Sequence, residues 1–218
     1  MTGSQADPAI GLVLLDIEGT TTPIAFVHEV LFPFARAHMA RWSEAHALSA
    51  AYAQIRRDLH VEHHDSRARG EAVPDWRADS PRDDRDSLLA FAGWLMDRDR
   101  KSSGLKHLQG LIWEDGYRSG VLRGEVYADV PVAMQQWHEA GLGIAIYSSG
   151  SVLAQRLLFE STEGGDLTPL IMAFFDTAVG SKEDPRSYAR IAARLVLPPS
   201  RILFVSDVTA ELEPSALR

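Results

Sequence analysis

The stretch that decides the fold is GLVLLDIEGTTT, residues Gly11 to Thr22. Its apolar run, Leu12 to Leu15, has the length and the uniform hydrophobicity of a strand that is buried on both faces of a parallel sheet. The run ends abruptly at Asp16, and Glu18, Gly19 and a row of three threonines follow. Open α/β sheets place their chemistry at the carboxyl edge, and this strand would deliver a carboxylate to that edge.

Later segments repeat the pattern of an apolar run that ends in polar residues. LGIAIYSSGS reaches Ser148 and Ser149, AFFDTAVG is a short third run, and RILFVSD ends at Asp207. Helical patterns separate these runs, including the amphipathic segment 185–197. Alternating strands and helices predict parallel pairing with right-handed crossovers, and therefore an α/β fold with a doubly wound parallel sheet.

The middle of the chain has a different character, because no strand pattern occurs between Thr22 and about residue 125. Such a block is far longer than one crossover connection needs. Helical periodicity covers four segments, the first of them with a break at Pro33: residues 26–46, 48–59, 86–98 and 103–117. Polar residues 61–86 predict an exposed connection without a periodic core. We therefore predict a Rossmann-like core of residues 1–25 and 120–218, with a helical cap domain of residues 26–119 inserted after the first core strand.

Composition restricts the class of protein. Hydrophobic residues make up 45% and charged residues 24% of the chain, which is typical of a globular protein. The formal net charge of −8 argues against nucleic-acid binding through phosphate attraction. The absence of cysteine excludes disulfides, thiolate zinc sites and cysteine nucleophiles.

The chain shows no membrane or secretion signal in its sequence. Its apolar runs are shorter than a membrane span, and Met1 to Ala9 lacks the basic and apolar regions of a signal peptide. We therefore expect a cytoplasmic protein that binds neither nucleic acid nor membrane. A monomer is the default expectation, since the cap would cover the apolar edge of the site.

The polar strand ends predict a metal site. In a parallel sheet these ends point the same way, so Asp16 and Asp207 can share one pocket. Two close aspartates repel one another unless a hard cation lies between them, and oxygen ligands suit Mg²⁺. Glu18 lies two residues beyond Asp16, on the same side of an extended chain.

A phosphorylated substrate fits the same pocket. Hydroxyls of Ser148 and Ser149, with the N–H groups that begin the next helix, can hold phosphate oxygens, and Lys182 in the GSKEDP turn can neutralise developing charge. Asp16 can act as a nucleophile that forms an aspartyl-phosphate, and Glu18 can move protons for the leaving group and for water. Each residue alone has an ordinary alternative: a strand-end aspartate often forms a turn, and Ser149 can merely cap the following helix. The ordered set is much harder to explain in that way.

Some other polar residues carry weaker signals. Glu211 is either a partner of the metal site or part of a solvated helix face. Lys101 and Lys106 are candidates for contacting substrate, with a solvated helix face as the equal alternative. A further group resembles metal ligands but lacks partners at a fixed spacing, which favours an exposed helix end: His60, His63, His64 and Asp65.

Four segments, in their order and spacing, resemble the four motifs of the haloacid dehalogenase-like phosphohydrolases: DIEGTT, IYSSGS, GSK and FVSDVTAE. Glutamate occupies the second acidic position of the first motif, where most of that superfamily has aspartate. Together with HEVLFPFA, MDRDRKSSGLKHLQGLIWEDGY, GEVYADV and YSSGSVLAQRLLF, this glutamate makes the chain similar to the enolase-phosphatase branch of methionine salvage. The resemblance covers most of the chain and is weakest in residues 61–86 and after Glu211.

The resemblance implies a Mg²⁺-dependent enzyme that acts on 2,3-diketo-5-methylthiopentyl-1-phosphate. Enolisation and then dephosphorylation would give the acireductone, 1,2-dihydroxy-3-keto-5-methylthiopentene. Carried over by position, the metal site takes Asp16, Glu18 and Asp207, with the backbone carbonyl of Glu18 as a possible ligand atom, and the phosphate site takes Ser148, Ser149 and Lys182. Members of the family continue through one more strand after the segment that matches DVTAELE, so a short sheet edge is expected.

Two other functions stay open at the level of sequence. Another phosphatase of the same superfamily, acting on a sugar phosphate or on phosphoglycolate, would differ mainly in its cap residues. A phosphate-ligand sensor or an inactive scaffold would keep the fold without the chemistry.

Overall fold

A computed structural model of the chain describes residues 10–215 and divides into two compact units. One unit includes the chain up to Val27 and again from Gly120, and the other unit is His28–Ser119. The segment Met1 to Ala9, which is predicted to lack a signal peptide, lies outside the described residues. That the units act as catalytic core and cap, with the predicted boundaries after residues 25 and 119, stays a prediction.

The second unit is helical. A π-helical segment, Phe26–Leu31, leads into it, and four α-helices follow: α1 Phe32–Ala45, α2 Ala50–Ala68, α3 Pro81–Met96 and α4 Ser103–Arg118. Ser49, Ser80 and Ser102 cap the N-termini of α2, α3 and α4, each accepting a backbone N–H three residues ahead. Pro33 lies in the first turn of α1, where a missing N–H is tolerated, and the predicted break falls there.

The prediction of an exposed connection over residues 61–86 is wrong at both of its ends. Helices α2 and α3 extend into this stretch, so that only residues 69–80 connect them. His63 is buried, its Nε2 lies 2.7 Å from the carbonyl oxygen of Pro74, and its ring packs against Trp76. The polar stretch therefore has a core of imidazole and aromatic rings, which apolar periodicity does not reveal.

The first unit is built on a four-stranded parallel sheet with strand order β3-β2-β1-β4. Its strands coincide with the predicted apolar runs: β1 Leu12–Leu15, β2 Gly143–Tyr147, β3 Ala173–Phe175 and β4 Ile202–Val205. All four residues of β1 are buried, as a strand with a neighbour on each side requires. The predicted α/β fold with a parallel sheet is confirmed.

Helices connect the strands of this sheet and cover it: α5 Val130–Glu139, α6 Val152–Glu160, α7 Pro185–Leu195 and, after β4, α8 Thr209–Ser215. The chain steps one way along the sheet from β1 to β3 and then returns past β1 to β4. Right-handed crossovers therefore place α5 and α6 on one face and α7 on the other. Tyr188 and Ile191 of α7 pack against Leu12 and Leu14 of β1 in a buried cluster. The direction reverses between β1 and β4, and a crevice at the carboxyl edge is expected at that point.

Within residues 10–215, none of the helices has both the length and the apolar character that a membrane span requires.

Candidate active site

Asp16 stands at the centre of the carboxyl edge. Register pairs Leu15 with Val205, and the N–H of Asp16 continues the ladder by donating to the Val205 carbonyl oxygen at 3.0 Å. This register places Ser206 beside Asp16, with its hydroxyl 3.4 Å from Oδ2. The strand that ends in Asp16 and the strand that leads to Asp207 are therefore direct neighbours.

A buried ion pair joins Asp16 to Lys182. Asp16 is 2% and Lys182 8% exposed, and the Lys182 ammonium pairs with Oδ1 of Asp16. The same oxygen accepts the N–H of Ile17 at 2.7 Å. Lys182 Nζ also lies 3.1 Å from Oε2 of Glu211, which accepts the Ser206 hydroxyl at 2.9 Å. One ammonium is thus shared between two carboxylates.

Burial shifts the pKa values of two acidic side chains in this pocket. Burial raises the pKa of Asp16, and Lys182 opposes that rise without cancelling it. The pKa of Glu18 is also raised, first by burial and then by the charge of Asp16. Both acids therefore ionise less readily than free carboxyl groups do, and a raised pKa suits Glu18 for proton transfer.

Two buried tyrosines hold the turn that carries Lys182. The Tyr188 hydroxyl lies 2.8 Å from the Lys182 carbonyl oxygen, and the Tyr147 hydroxyl donates to the Gly180 carbonyl oxygen at 3.0 Å. The rings meet edge to face at 5.7 Å. The position of the lysine is consequently determined by the core between the sheet and α7.

The predicted phosphate-binding serines begin the loop after β2. Ser148 is 1% exposed, and its Oγ accepts the N–H of Gly150 at 3.2 Å. Ser149 approaches the Glu18 carboxylate with its hydroxyl at 3.4 Å. Ser151, not Ser149, caps α6, so a capping role for Ser149 is wrong.

Asp207 lies on the exposed side of the crevice, against the loop that follows Asp16. Its N–H donates to Oγ1 of Thr20 at 3.0 Å, and that hydroxyl lies 3.4 Å from Asp207 Oδ1. Gly19 has a φ of +81°, and a Cβ at this position would lie 2.2 Å from Asp207 Oδ2. The positive φ favours glycine here, and a Cβ would require the Asp207 carboxylate to move.

The oxygen donors at this edge suit a small metal ion. The carboxylates of Asp16 and Asp207 follow adjacent strands, and the main-chain carbonyl of Glu18 lies on the loop between β1 and Thr20. Across residues 10–215, no three His, Cys, Asp or Glu side chains form a group that could hold a metal. The smaller donor set fits Mg²⁺, which usually keeps several waters and is bound through one or two carboxylates. The side chain of Glu18 is directed to Ser149 instead.

Some residues of the site escaped sequence analysis. Thr20 was visible only as one of three threonines, and Tyr188 only as an apolar position of α7. Glu211, which had two interpretations, contacts Lys182 rather than belonging to a fully solvated face. Lys101 and Lys106 belong to the helical unit, near the start of α4.

The comparisons with known proteins agree with this geometry. A family model described as haloacid dehalogenase-like hydrolase matches residues 10–213. The chain is 47% identical over 209 residues to Enolase-phosphatase E1 of Synechococcus elongatus, covering 95% of this chain and 85% of that protein. It is 45% identical over 204 residues to Enolase-phosphatase E1 of Methylococcus capsulatus, covering 94% and 83%. Among solved structures, the UTR4 protein of Saccharomyces cerevisiae superimposes with a TM-score of 0.73 at 31% identity, covering 95% of this chain and 85% of that one.

Proposed function

Because this chain belongs to the haloacid dehalogenase-like hydrolases, and among them to the enolase-phosphatases, we propose that it converts 2,3-diketo-5-methylthiopentyl-1-phosphate to the acireductone and inorganic phosphate. It is therefore a phosphatase, and its place is in methionine salvage. The observation that carries the proposal is the buried Asp16–Lys182 pair, with Glu18 alongside it.

Asp16 is the proposed nucleophile. Its Oδ1 is engaged by Lys182 and by the Ile17 N–H, whereas Oδ2 has, among residues 10–215, only a long contact with the Ser206 hydroxyl. Oδ2 would form a bond to phosphorus while the bond from phosphorus to the substrate oxygen breaks. The departing oxygen takes a proton from Glu18, and an aspartyl-phosphate remains.

The second half of the reaction releases phosphate. Glu18 accepts a proton from water as the water oxygen attacks phosphorus, and the bond between phosphorus and Asp16 breaks. Lys182, Ser148 and Ser149 hold the phosphoryl oxygens through both steps. The carboxylates of Asp16 and Asp207 and the Glu18 carbonyl would hold Mg²⁺, which when bound supplies positive charge for the phosphoryl oxygens.

Enolisation precedes dephosphorylation in this proposal. A proton on carbon beside a diketone is already fairly acidic, so a positioned base is sufficient. Glu18 is the first candidate for that base, because burial raises its pKa towards the range in which a carboxylate accepts a proton at neutral pH. We also propose that the protein works as a monomer in the cytoplasm, with the helical unit as its cap.

The test is incubation of the protein with the diketo phosphate while enol absorbance and free phosphate are followed together. Both signals should rise in the presence of Mg²⁺, and phosphate release should stop when the metal is chelated. Hydrolysis of a sugar phosphate or phosphoglycolate without turnover of the diketo phosphate would assign a different phosphatase. Failure to hydrolyse even a generic aryl phosphate would favour a sensor or scaffold.

A further inference from the structure

Gln155 is a buried polar residue that the proposed chemistry does not use. It lies in α6, is 1% exposed, and its Nε2 donates to two carbonyl oxygens. One is that of Gly150, at 2.8 Å, and the other is that of Phe175 at the end of β3, at 2.9 Å. Since both partners are acceptors, the orientation of the amide is determined by its surroundings.

These two hydrogen bonds hold the turn that follows β2. The N–H of Gly150 donates to Ser148 Oγ at 3.2 Å, and the Gly150 carbonyl oxygen accepts from Gln155. Both backbone polar groups of Gly150 are therefore hydrogen-bonded. The Phe175 carbonyl accepts the Ser148 N–H at 3.2 Å in addition to Gln155. Because Ser148 Oγ accepts from Gly150, its hydrogen is left to donate elsewhere.

The oxygen end of the Gln155 amide is not hydrogen-bonded within the described residues. Its Oε1 is buried and has no hydrogen-bond partner among residues 10–215. A buried acceptor without a partner destabilises the folded state, and an apolar side chain of similar volume would remove that penalty. The gain from glutamine must therefore lie in the two bonds that it donates to the turn and to β3.

We infer that Gln155 is a positioning residue, which holds the turn from Ser148 to Gly150 in the conformation that binds the phosphate group of the substrate. The inference rests on the proposed function, because it assigns these serines to phosphate. Gln155 itself touches no reacting atom and acts through the turn.

The experiment compares Gln155→Leu and Gln155→Glu with wild type. Gln135→Leu is the matched control, because Gln135 is an exposed glutamine of α5 that donates a hydrogen bond to the exposed Glu139 of the same helix. The readouts are the inhibition constant of inorganic phosphate, KM and kcat for an aryl phosphate with Mg²⁺, and the thermal midpoint. Kinetics are measured well below every midpoint, so that unfolding does not enter them.

Gln155→Leu should raise the phosphate inhibition constant and KM about tenfold, with a smaller change in kcat, because the turn loses its tie. Its thermal midpoint should fall modestly, because two carbonyl oxygens lose a donor while the unpaired Oε1 is removed. Gln155→Glu should bind phosphate more weakly still, since a carboxylate would face two carbonyl oxygens. The control should match wild type in every readout.

An unchanged phosphate inhibition constant in Gln155→Leu would overturn the inference, whether or not the midpoint falls. In that case an active wild-type protein would leave the proposed function standing. If wild type neither binds phosphate nor hydrolyses any phosphate ester, both the inference and the proposed function are overturned.

Discussion

Each of the two units contains an aspartate that is paired with a basic side chain, but the pKa values of the two aspartates are shifted in opposite directions. In the sheet unit, burial raises the pKa of Asp16 despite Lys182. In the helical unit, burial also acts to raise the pKa of Asp84, but hydrogen bonds from Arg56 and Trp76 outweigh it and the pKa is lowered. Burial thus outweighs the nearby cation and raises the pKa of Asp16, whereas the hydrogen-bond donors outweigh burial and lower the pKa of Asp84.

The depth of burial and the sharing of the ammonium explain the difference between the two pKa shifts. Arg56 contacts both oxygens of Asp84, and the Trp76 Nε1–H adds a bond of 3.0 Å. Asp16 is more deeply buried, and its ammonium partner is shared with Glu211. A carboxylate whose donors outweigh burial stabilises a fold, whereas a carboxylate with a raised pKa in a cleft is typical of a reactive group. We therefore expect the first pair to matter for activity and the second for stability.

The largest effect is expected for Asp16→Asn. Phosphate release should fall by about a thousandfold or more, because the amide is not a nucleophile. The free energy of unfolding should change by less than about 1 kcal/mol, since burial already disfavours the carboxylate, the amide oxygen can still accept the Ile17 N–H, and Lys182 keeps Glu211 as its counter-charge. Phosphate assays and urea unfolding measure the two quantities.

Asp166→Asn is the control for that substitution. Asp166 is an exposed aspartate that accepts the N–H of Thr168 in a turn, and its loss should leave phosphate release unchanged. A large loss of stability in Asp16→Asn with retained activity would reverse the comparison between the two pairs. Enol absorbance recorded with the diketo phosphate shows, in addition, whether enolisation survives without the nucleophile.

An intermediate effect is expected for Gly19→Ala. The new Cβ would meet Asp207 Oδ2 at 2.2 Å, so the aspartate must move away. Phosphate release should fall by about a hundredfold through this displacement, and stability by about 1–3 kcal/mol through backbone strain at positive φ. Gly141→Ala separates the two causes, because Gly141 also has a positive φ, of +77°, but nothing within 4 Å of its Cβ position. That control should lose stability only; equal loss of activity in both variants would contradict the role of Asp207.

The smallest effect is expected for Asp84→Asn, which should lower the stability of the helical unit by about 1 kcal/mol. This value allows for screening, because the Arg56 side chain is 40% exposed. Hydrogen exchange of α2 and α3 amides measures the change, and hydrolysis of an aryl phosphate should stay as in wild type. Asp86→Asn is the control on the same helix, since its contact with Arg82 is long and exposed.

The difference in stability between wild type and Asp84→Asn should depend on pH, and the pKa shift of Asp84 gives the sign. The folded pKa of Asp84 lies below its ordinary value of 3.8, so the stabilisation is complete above that value and is lost as the pH falls through the folded pKa. Wild type and Asp84→Asn should therefore differ at neutral pH and converge in strong acid. A difference that grows on acidification would show that Asp84 is not stabilised in its ionised form.

Parts of the site could be predicted from sequence because apolar runs that end in polar residues are visible in the local sequence. Asp16, Ser148 and Asp207 follow apolar runs, and parallel strands must bring such ends to one edge. The contacts of Glu211 and Gln155 could not be predicted, because each depends on a partner from another element. Residues 61–86 were misread because their core is made of histidine and aromatic rings rather than of aliphatic residues at a helical period.

By itself, the sequence determined the α/β class, the order of strands and helices, and the acids and serines that reach the carboxyl edge. These follow from the period of apolar residues and from the direction of parallel strands, which are local properties. Tertiary structure alone decided that Lys182 is shared between Asp16 and Glu211, that Gly19 lies against Asp207, and that Gln155 donates to the Gly150 and Phe175 carbonyl oxygens. Distances and burial set these contacts, and both arise only when residues far apart in the chain are packed together.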